Sequence, residues 1–294
     1  MFIECNLPIL VDGYDTNEIL NRSCFLKNLG WDGVVLNVSI SKNNISELDL
    51  CFDKLSAMTN RLEREWSEFY LQYNKSAQND NIRFVSPLTV HNERTKEFRF
   101  YKRLTFVEDF ESFSRLNFDL QKFRSVDIIA VVPTTMNQLE NVTSKMNIDM
   151  ISFQYDSAVG GLQRTLIHSG AKRLQELMKR DVAIEISYSE SFKERKNFTD
   201  FISRMTDLMR LTKNRNMVLS NGSSDQSHFR SPHDVANLPA LLGVDFSVGK
   251  KMIDDNVRMS LLHGEQRRTV KGVLQVSDST PSGNKRSRDK MDEK

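Results

Sequence analysis

Short apolar runs of strand type recur along the chain, each followed by a longer segment whose apolar residues return every three or four positions. The runs are Phe2 to Asn6, Gly33 to Val38, Phe98 to Val107, Asp127 to Val132, Asp149 to Phe153, Val182 to Tyr188 and Met217 to Ser220. Strands alternating with amphipathic helices predict βα units and a parallel sheet. Asp127-Ile-Ile-Ala-Val-Val-Pro133 and Val182-Ala-Ile-Glu-Ile-Ser187 are dense in β-branched residues, as strands covered by helices should be. The spacing predicts helices over Leu162 to Lys179 and from about Phe192 to Leu211, each with one apolar stripe that reads as core packing.

An open doubly wound sheet and a closed barrel share this alternation. After the first strand the chain reads Leu-Pro-Ile-Leu-Val-Asp-Gly-Tyr, without the GxGxxG phosphate loop of a dinucleotide fold. The expected fold is therefore a TIM-like α/β barrel of seven or eight mostly parallel strands with extra C-terminal helices, occupying residues 1–274 as one domain. Between the second and third strands a long charged helix ends near Tyr73. The polar run Asn74 to Asn81 and the irregular stretch after it make residues 74–97 an expected loop insertion. From Gln275 to Lys294 apolar residues nearly vanish, so this tail is expected to be disordered. Within it Lys285-Arg-Ser-Arg288 reads either as a nuclear-import patch or as solvated tail.

Composition narrows the function classes. Net charge is +2, from 41 basic and 39 acidic residues, so any nucleic-acid affinity must come from local clustering. Cys5, Cys24 and Cys51 form no CxxC pair and are too few for a disulfide framework, which points to a reducing compartment. No signal peptide or membrane span is legible, and a soluble, non-secreted protein is expected. Neither a GxSxG elbow nor a P-loop occurs.

The most informative stretch begins at Ser231. Ser231 is suited to cap a helix, Pro232 to its first position and Asp234 to its first turn, and Gly243 supplies the stop. Ser247 repeats the start signal, and Gly264 after His263 has the form of a left-handed C-terminal cap. Asp234-Val-Ala-Asn237, Leu-x-x-Leu-Leu-Gly243 and Arg258-x-x-Leu-Leu-His-Gly-Glu265 resemble the C-terminal hallmark of the barrel subunit of ribonuclease P and ribonuclease MRP. Arg103-Leu-Thr105, Asp127 to Pro133, Asp149 to Phe153 and Glu185-Ile-Ser-Tyr188 match that family in the same order, whereas the N-terminal third matches only in general pattern.

The resemblance implies a barrel also used by the polymerase-and-histidinol-phosphatase group of metal phosphoesterases. Here it would serve a catalytic RNA that removes tRNA 5′ leaders with its own magnesium ions. It further implies ribonuclease P or MRP RNA and small protein subunits as partners, contact with pre-tRNA only through the assembly, a role extending to rRNA processing through MRP, and a nuclear, nucleolar location. The chain itself would hold no cofactor, metal or catalytic residue. Asp234, Asn237, His263, Gly264 and Glu265 carry the motif.

The alternative is a divergent metal-dependent phosphoesterase on the same barrel. Those enzymes open with an HxH pair at the end of the first strand, where this chain has Cys5-Asn-Leu7. His91, His168, His228, His233 and His263 are scattered, and His228 with His233, Asp225 and Asp234 forms the one loose cluster. Two segments are locally basic: Arg94 to Arg103, and Ser247 to Gly272 with Lys250, Lys251, Arg258, Arg267, Arg268 and Lys271. Lys102, Arg103, Arg258, Arg267, Arg268 and Lys271 are the expected RNA or partner contacts, with Arg258 also open to a structural reading. The rings of Phe98, Phe100 and Tyr101 read as core.

Overall fold

Each strand of the expected series forms, and each is buried among apolar neighbours. The computed structural model describes residues 1–9, 15–40, 48–79, 98–107, 121–153, 170–192 and 195–269. The strands are β1 (Ile3–Pro8), β2 (Gly33–Ile40), β3 (Arg99–Val107), β4 (Ile128–Val132), β5 (Met150–Phe153), β6 (Ala183–Ser187) and β7 (Met217–Ser220). Every neighbouring pair is parallel, and the sheet order follows the chain from β1 to β7. The result is a nearly closed TIM-like barrel of seven strands, within the expected seven or eight.

Helices α1 (Thr16–Leu29), α2 (Leu48–Asn79), α3 (Met136–Lys145), α4 (Ala171–Lys179) and α5 (Arg195–Thr212) flank the sheet, and α6 (Pro232–Asn237), α7 (Phe246–Ile253) and α8 (Asp255–Arg268) are the expected C-terminal additions. Local chemistry sets several boundaries. The Asp15 side chain accepts from the Asn17 N–H at the start of α1, and Gly30, at φ 105°, closes the helix by donating to the Leu26 and Lys27 carbonyls. Thr135 and Gln138 form a reciprocal capping box at the start of α3.

Two cores result. The larger lies between sheet and helices, where Trp31, Phe106, Phe123 and Phe201 are fully enclosed. The second fills the barrel with Ile3, Cys5, Val35, Ile128, Ala130, Met150, Ala183 and Val218, and Val257 of α8 joins it. A filled barrel is a packed interior and not a pore. The expected ring placement holds for Phe98 and Phe100, which are buried against Trp66, while Tyr101 is half-buried against the inner core.

Three boundaries differ from the sequence reading. Helix α2 continues to Asn79, so residues 74–79 of the expected insertion are helical and its remainder lies outside the described residues. Helix α7 is capped by Asp245, whose carboxylate accepts from the Ser247 N–H, so Ser247 is the second residue of the helix and not its cap. Gly264 lies inside α8, which runs four residues further to Arg268. The portion of the expected Leu162 to Lys179 helix before Gly170, and the C-terminal tail, lie outside the described residues.

Candidate functional site

Arg103 enters the barrel from the middle of β3, and its side chain is 0% exposed. Its five N–H groups meet five acceptors. Nε donates to Thr105 Oγ1 at 2.9 Å, Nη1 to the Cys5 carbonyl at 3.1 Å and to Glu185 Oε1 at 2.6 Å. Nη2 donates to Ser152 Oγ at 2.8 Å and to Glu185 Oε2 at 2.5 Å. Thr105 continues the network to Asn37, and Asn37 to Asn6. Burial alone would raise the Glu185 carboxyl, but the paired guanidinium outweighs it and holds that carboxyl below its usual value. Burial likewise opposes the charge on Arg103, and the same pairing raises its pKa. Burial pushes the Cys5 thiol far up, leaving it protonated and inert.

This geometry corrects the expectation for Arg103. A guanidinium with every donor satisfied inside the barrel has none left for a phosphate, so Arg103 ties β3 to β1, β5 and β6 from within. Lys102, next in the chain, is half-buried on the outer side of β3. Its backbone N–H donates to Asp127 Oδ2 at 2.7 Å.

The C-terminal hallmark gathers at the opposite level, across the N-terminal ends of the strands. Asp149, fully buried just before β5, accepts from His263 Nδ1 at 2.7 Å, from Arg267 Nη2 at 3.0 Å and from the Ile129 N–H at 2.7 Å. Arg267 also donates to the Phe123 and Val126 carbonyls at 2.9 and 3.1 Å. Its side chain is 1% exposed. Arg267 is thus a buried clamp fastening α8 to the strand starts, which corrects its expected role as an RNA or partner contact. Arg268 pairs with Asp127 at 2.7 Å and keeps 27% exposure. Gly264 is required for packing: a Cβ there would lie 1.9 Å from the Asp127 carbonyl oxygen. It serves close approach of helix to strand, and not the left-handed cap expected of it.

The other motif residues are more open. Asp234 accepts from the Ser231 hydroxyl at 2.8 Å, while the Asp234 N–H donates back to that oxygen at 3.2 Å, so this acid belongs to the cap of α6. Asn237 is exposed at the end of α6 and Glu265 on the outward side of α8. Arg258 is 59% exposed and lies 3.8 Å from Asp254. Lys271 lies outside the described residues.

The loose cluster around His228 does not converge. His228 Nδ1 meets Ser223 Oγ at 3.1 Å, Asp225 caps the Ser227 N–H at 2.9 Å, and the His233 ring packs between Phe2 and Phe246. Among the described residues no three His, Cys, Asp or Glu side chains come together to hold a metal ion. His91 and His168 lie outside them.

Sequence reasoning missed the acids that organise both levels: Glu185 and Glu4 in the barrel, and Asp149 beneath it. A single carboxylate inside, or at the start of, a largely apolar strand was the signal available, because such a buried charge must find a cationic partner or be neutralised by holding its proton.

Comparison with known proteins completes the picture. A family model described as RNase P subunit p30 matches residues 1–269. Protein GAMETOPHYTE DEFECTIVE 1 of Arabidopsis thaliana is 30% identical over 167 residues, covering 56% of this chain and 28% of that protein. The ribonuclease P protein subunit p30 of Mus musculus is 26% identical over 153 residues, 52% of this chain and 55% of the mouse subunit. The ribonuclease P/MRP protein subunit RPP1 of Saccharomyces cerevisiae is 25% identical over 206 residues, 68% of this chain and 67% of that subunit. The chain thus matches about a quarter of the plant relative's length and about half of the mouse relative's. Among solved structures, a chain of an archaeal ribonuclease P with mature tRNA superposes with a TM-score of 0.53 at 14% identity, covering 95% of this chain and 99% of its own, a likeness of fold. With the family model spanning every strand of the barrel and the helix clamped beneath it, this chain belongs to the ribonuclease P subunit p30 family.

Proposed function

We propose that the chain is a non-catalytic protein subunit of ribonuclease P, and of ribonuclease MRP where that particle is present. In this reading it binds RNA and smaller protein subunits, while the RNA performs tRNA 5′-leader removal with its own magnesium ions. The observation that carries the proposal is the p30 family match across residues 1–269, from the first strand to the end of α8. The chemistry of the barrel supports it. Among the described residues, the interior carboxylates are engaged: Glu185 by Arg103, Glu4 by the Asn221 and Asn6 N–H groups, and Asp149 by Arg267, His263 and a backbone N–H. A phosphoesterase needs carboxylates and imidazoles turned toward substrate, whereas these are spent on joining strands to one another. Nuclear and nucleolar residence belongs to the same proposal, with Lys285-Arg-Ser-Arg288 as the candidate import patch.

The test is affinity purification of the tagged chain from its native cells at mild salt, with sequencing of the recovered RNA and mass spectrometry of the proteins. Ribonuclease P or MRP RNA accompanied by several small basic proteins is the expected result. Recovery of the chain alone, with stoichiometric metal and turnover of a phosphoester, would replace this reading with the phosphoesterase.

A further inference from the structure

At the N-terminal end of the barrel, the turn leading into β7 meets the junction of α7 with α8. Asn256 ties the two together: its side-chain amide donates to the carbonyl of Met217, the first residue of β7, at 2.7 Å. Helix α7 packs against the same strand. The segments that meet here carry five cations. Lys213 and Arg215 precede Met217 by four and two positions, Lys250 and Lys251 occupy the last turn of α7, and Arg258 lies in the first turns of α8. All five are exposed, Arg258 at 59%. Asp255 is the exposed acid between Lys250 and Arg258, and Asp254 is largely withdrawn, shared between Arg258 at 3.8 Å and the Met1 amino group at 3.6 Å.

The scaffold beneath these cations is braced. Asn214 and Arg215 donate their N–H groups to the Met209 and Thr212 carbonyls, and Lys213, Asn214 and Asn216 take positive φ in a tight turn. Such a turn offers its charges at fixed positions, so little backbone ordering remains to be done on binding.

We propose that this corner, built from Lys213, Arg215, Lys250, Lys251 and Arg258, is the surface through which the barrel grips RNA phosphates. The proposal rests on the functional reading above and locates its RNA contact at the strand starts, away from the strand C-terminal ends where barrel enzymes bind substrates. Phosphate neutralisation by exposed Lys and Arg needs no pocket, only several cations at backbone spacing with few acids among them. A protein partner fits less well, since lysine is depleted from protein–protein interfaces and three of the five are lysines.

The experiment compares three tagged full-length chains purified from their own cells: the parent, a corner variant (Lys213→Gln, Arg215→Gln, Lys251→Gln, Arg258→Gln) and a control. The control removes the same charge from α2 and α4 (Arg61→Gln, Arg64→Gln, Lys75→Gln, Lys172→Gln), where those side chains are also exposed. Retained ribonuclease P RNA is counted through a series of salt washes. The corner variant should hold about tenfold less RNA at intermediate salt, with a logarithmic salt dependence shallower by roughly 3, while the control stays near the parent. Equal loss in both variants, or none in the corner variant, overturns the assignment while leaving subunit membership intact. So does release of a protein subunit ahead of the RNA, which would give the corner to a protein partner. A parent chain that recovers no such RNA sinks both the corner and the reading it rests on. Unchanged thermal melting of the corner variant is expected, because each substituted side chain lies on the surface.

Discussion

Glu4 sits in the seam between β1 and β7, where the barrel is closed by side chains as much as by backbone. Its Oε1 accepts from the Asn221 N–H at 2.8 Å and from the Asn6 N–H at 3.2 Å, and the Gly222 N–H reaches the Asn6 carbonyl at 3.0 Å. Burial pushes the Glu4 carboxyl up to about 8, aided by the nearby Glu185 charge and opposed by those two backbone donors and by Tyr188. An unfolded chain releases this proton near 4.5. Between the two values the folded state holds a proton that the unfolded state has lost, so this group's contribution to stability falls as pH rises through that window. Glu4→Gln keeps the carbonyl acceptor and removes the titration. Urea midpoints of the parent should therefore drop relative to the variant from about pH 5 to about pH 8, and parallel curves would count against a buried, protonated Glu4.

The arginines divide at the same scale. Arg267→Leu leaves Asp149 buried with its main cation gone and the Phe123 and Val126 carbonyls short of a donor. Loss of one partner of a buried pair costs roughly 3–5 kcal/mol. Arg258→Leu, at an exposed pair, should cost less than about 1 kcal/mol. Denaturant titration of the two variants checks the contrast; similar midpoints would mean that Arg267 is not a clamp. Of the adjacent Arg267 and Arg268, substitution of the first therefore reports on folding, and the second remains partly accessible.

At the scale of the element, α8 is the part that its own sequence describes least well. Val257 and Leu261 turn into the barrel, Arg267 reaches beneath β5, and Gly264 rests on the Asp127 carbonyl. The contacts run lengthwise under the strand starts, so apolar periodicity does not announce them. In an exposed helix interior, alanine is favoured over glycine by roughly 0.5–1 kcal/mol. Here the sign should reverse: in Gly264→Ala the methyl meets the Asp127 oxygen at 1.9 Å and must lift α8 from the barrel. A lowered melting temperature is expected, and a raised one would show that the helix end is free to shift. Helix α6 is the opposite case, since Ser231, Pro232 and Asp234 act as their sequence indicates. Capping is decided by neighbours in the chain, and close approach by neighbours in space.

At the scale of the whole molecule, seven parallel strands in chain order place every Asp and Arg that precedes a strand at one end of the barrel, among them Asp127, Asp149 and Arg215. Residues far apart in sequence then become a single surface, as Arg215 and Arg258 do. Strand number and order, the helices between strands and the cap of α6 were legible in the sequence, because periodicity and capping are local consequences of which residue follows which. The family hallmark was legible as a string, but its physical meaning was not. Nothing in the one-dimensional record separates Arg103 and Arg267, wholly engaged by Glu185 and Asp149, from Arg258, which faces solvent. Burial is a property of the folded assembly of strands: it decided which charges became internal braces, which carboxyl kept its proton, and which cations were left outside for a partner to meet.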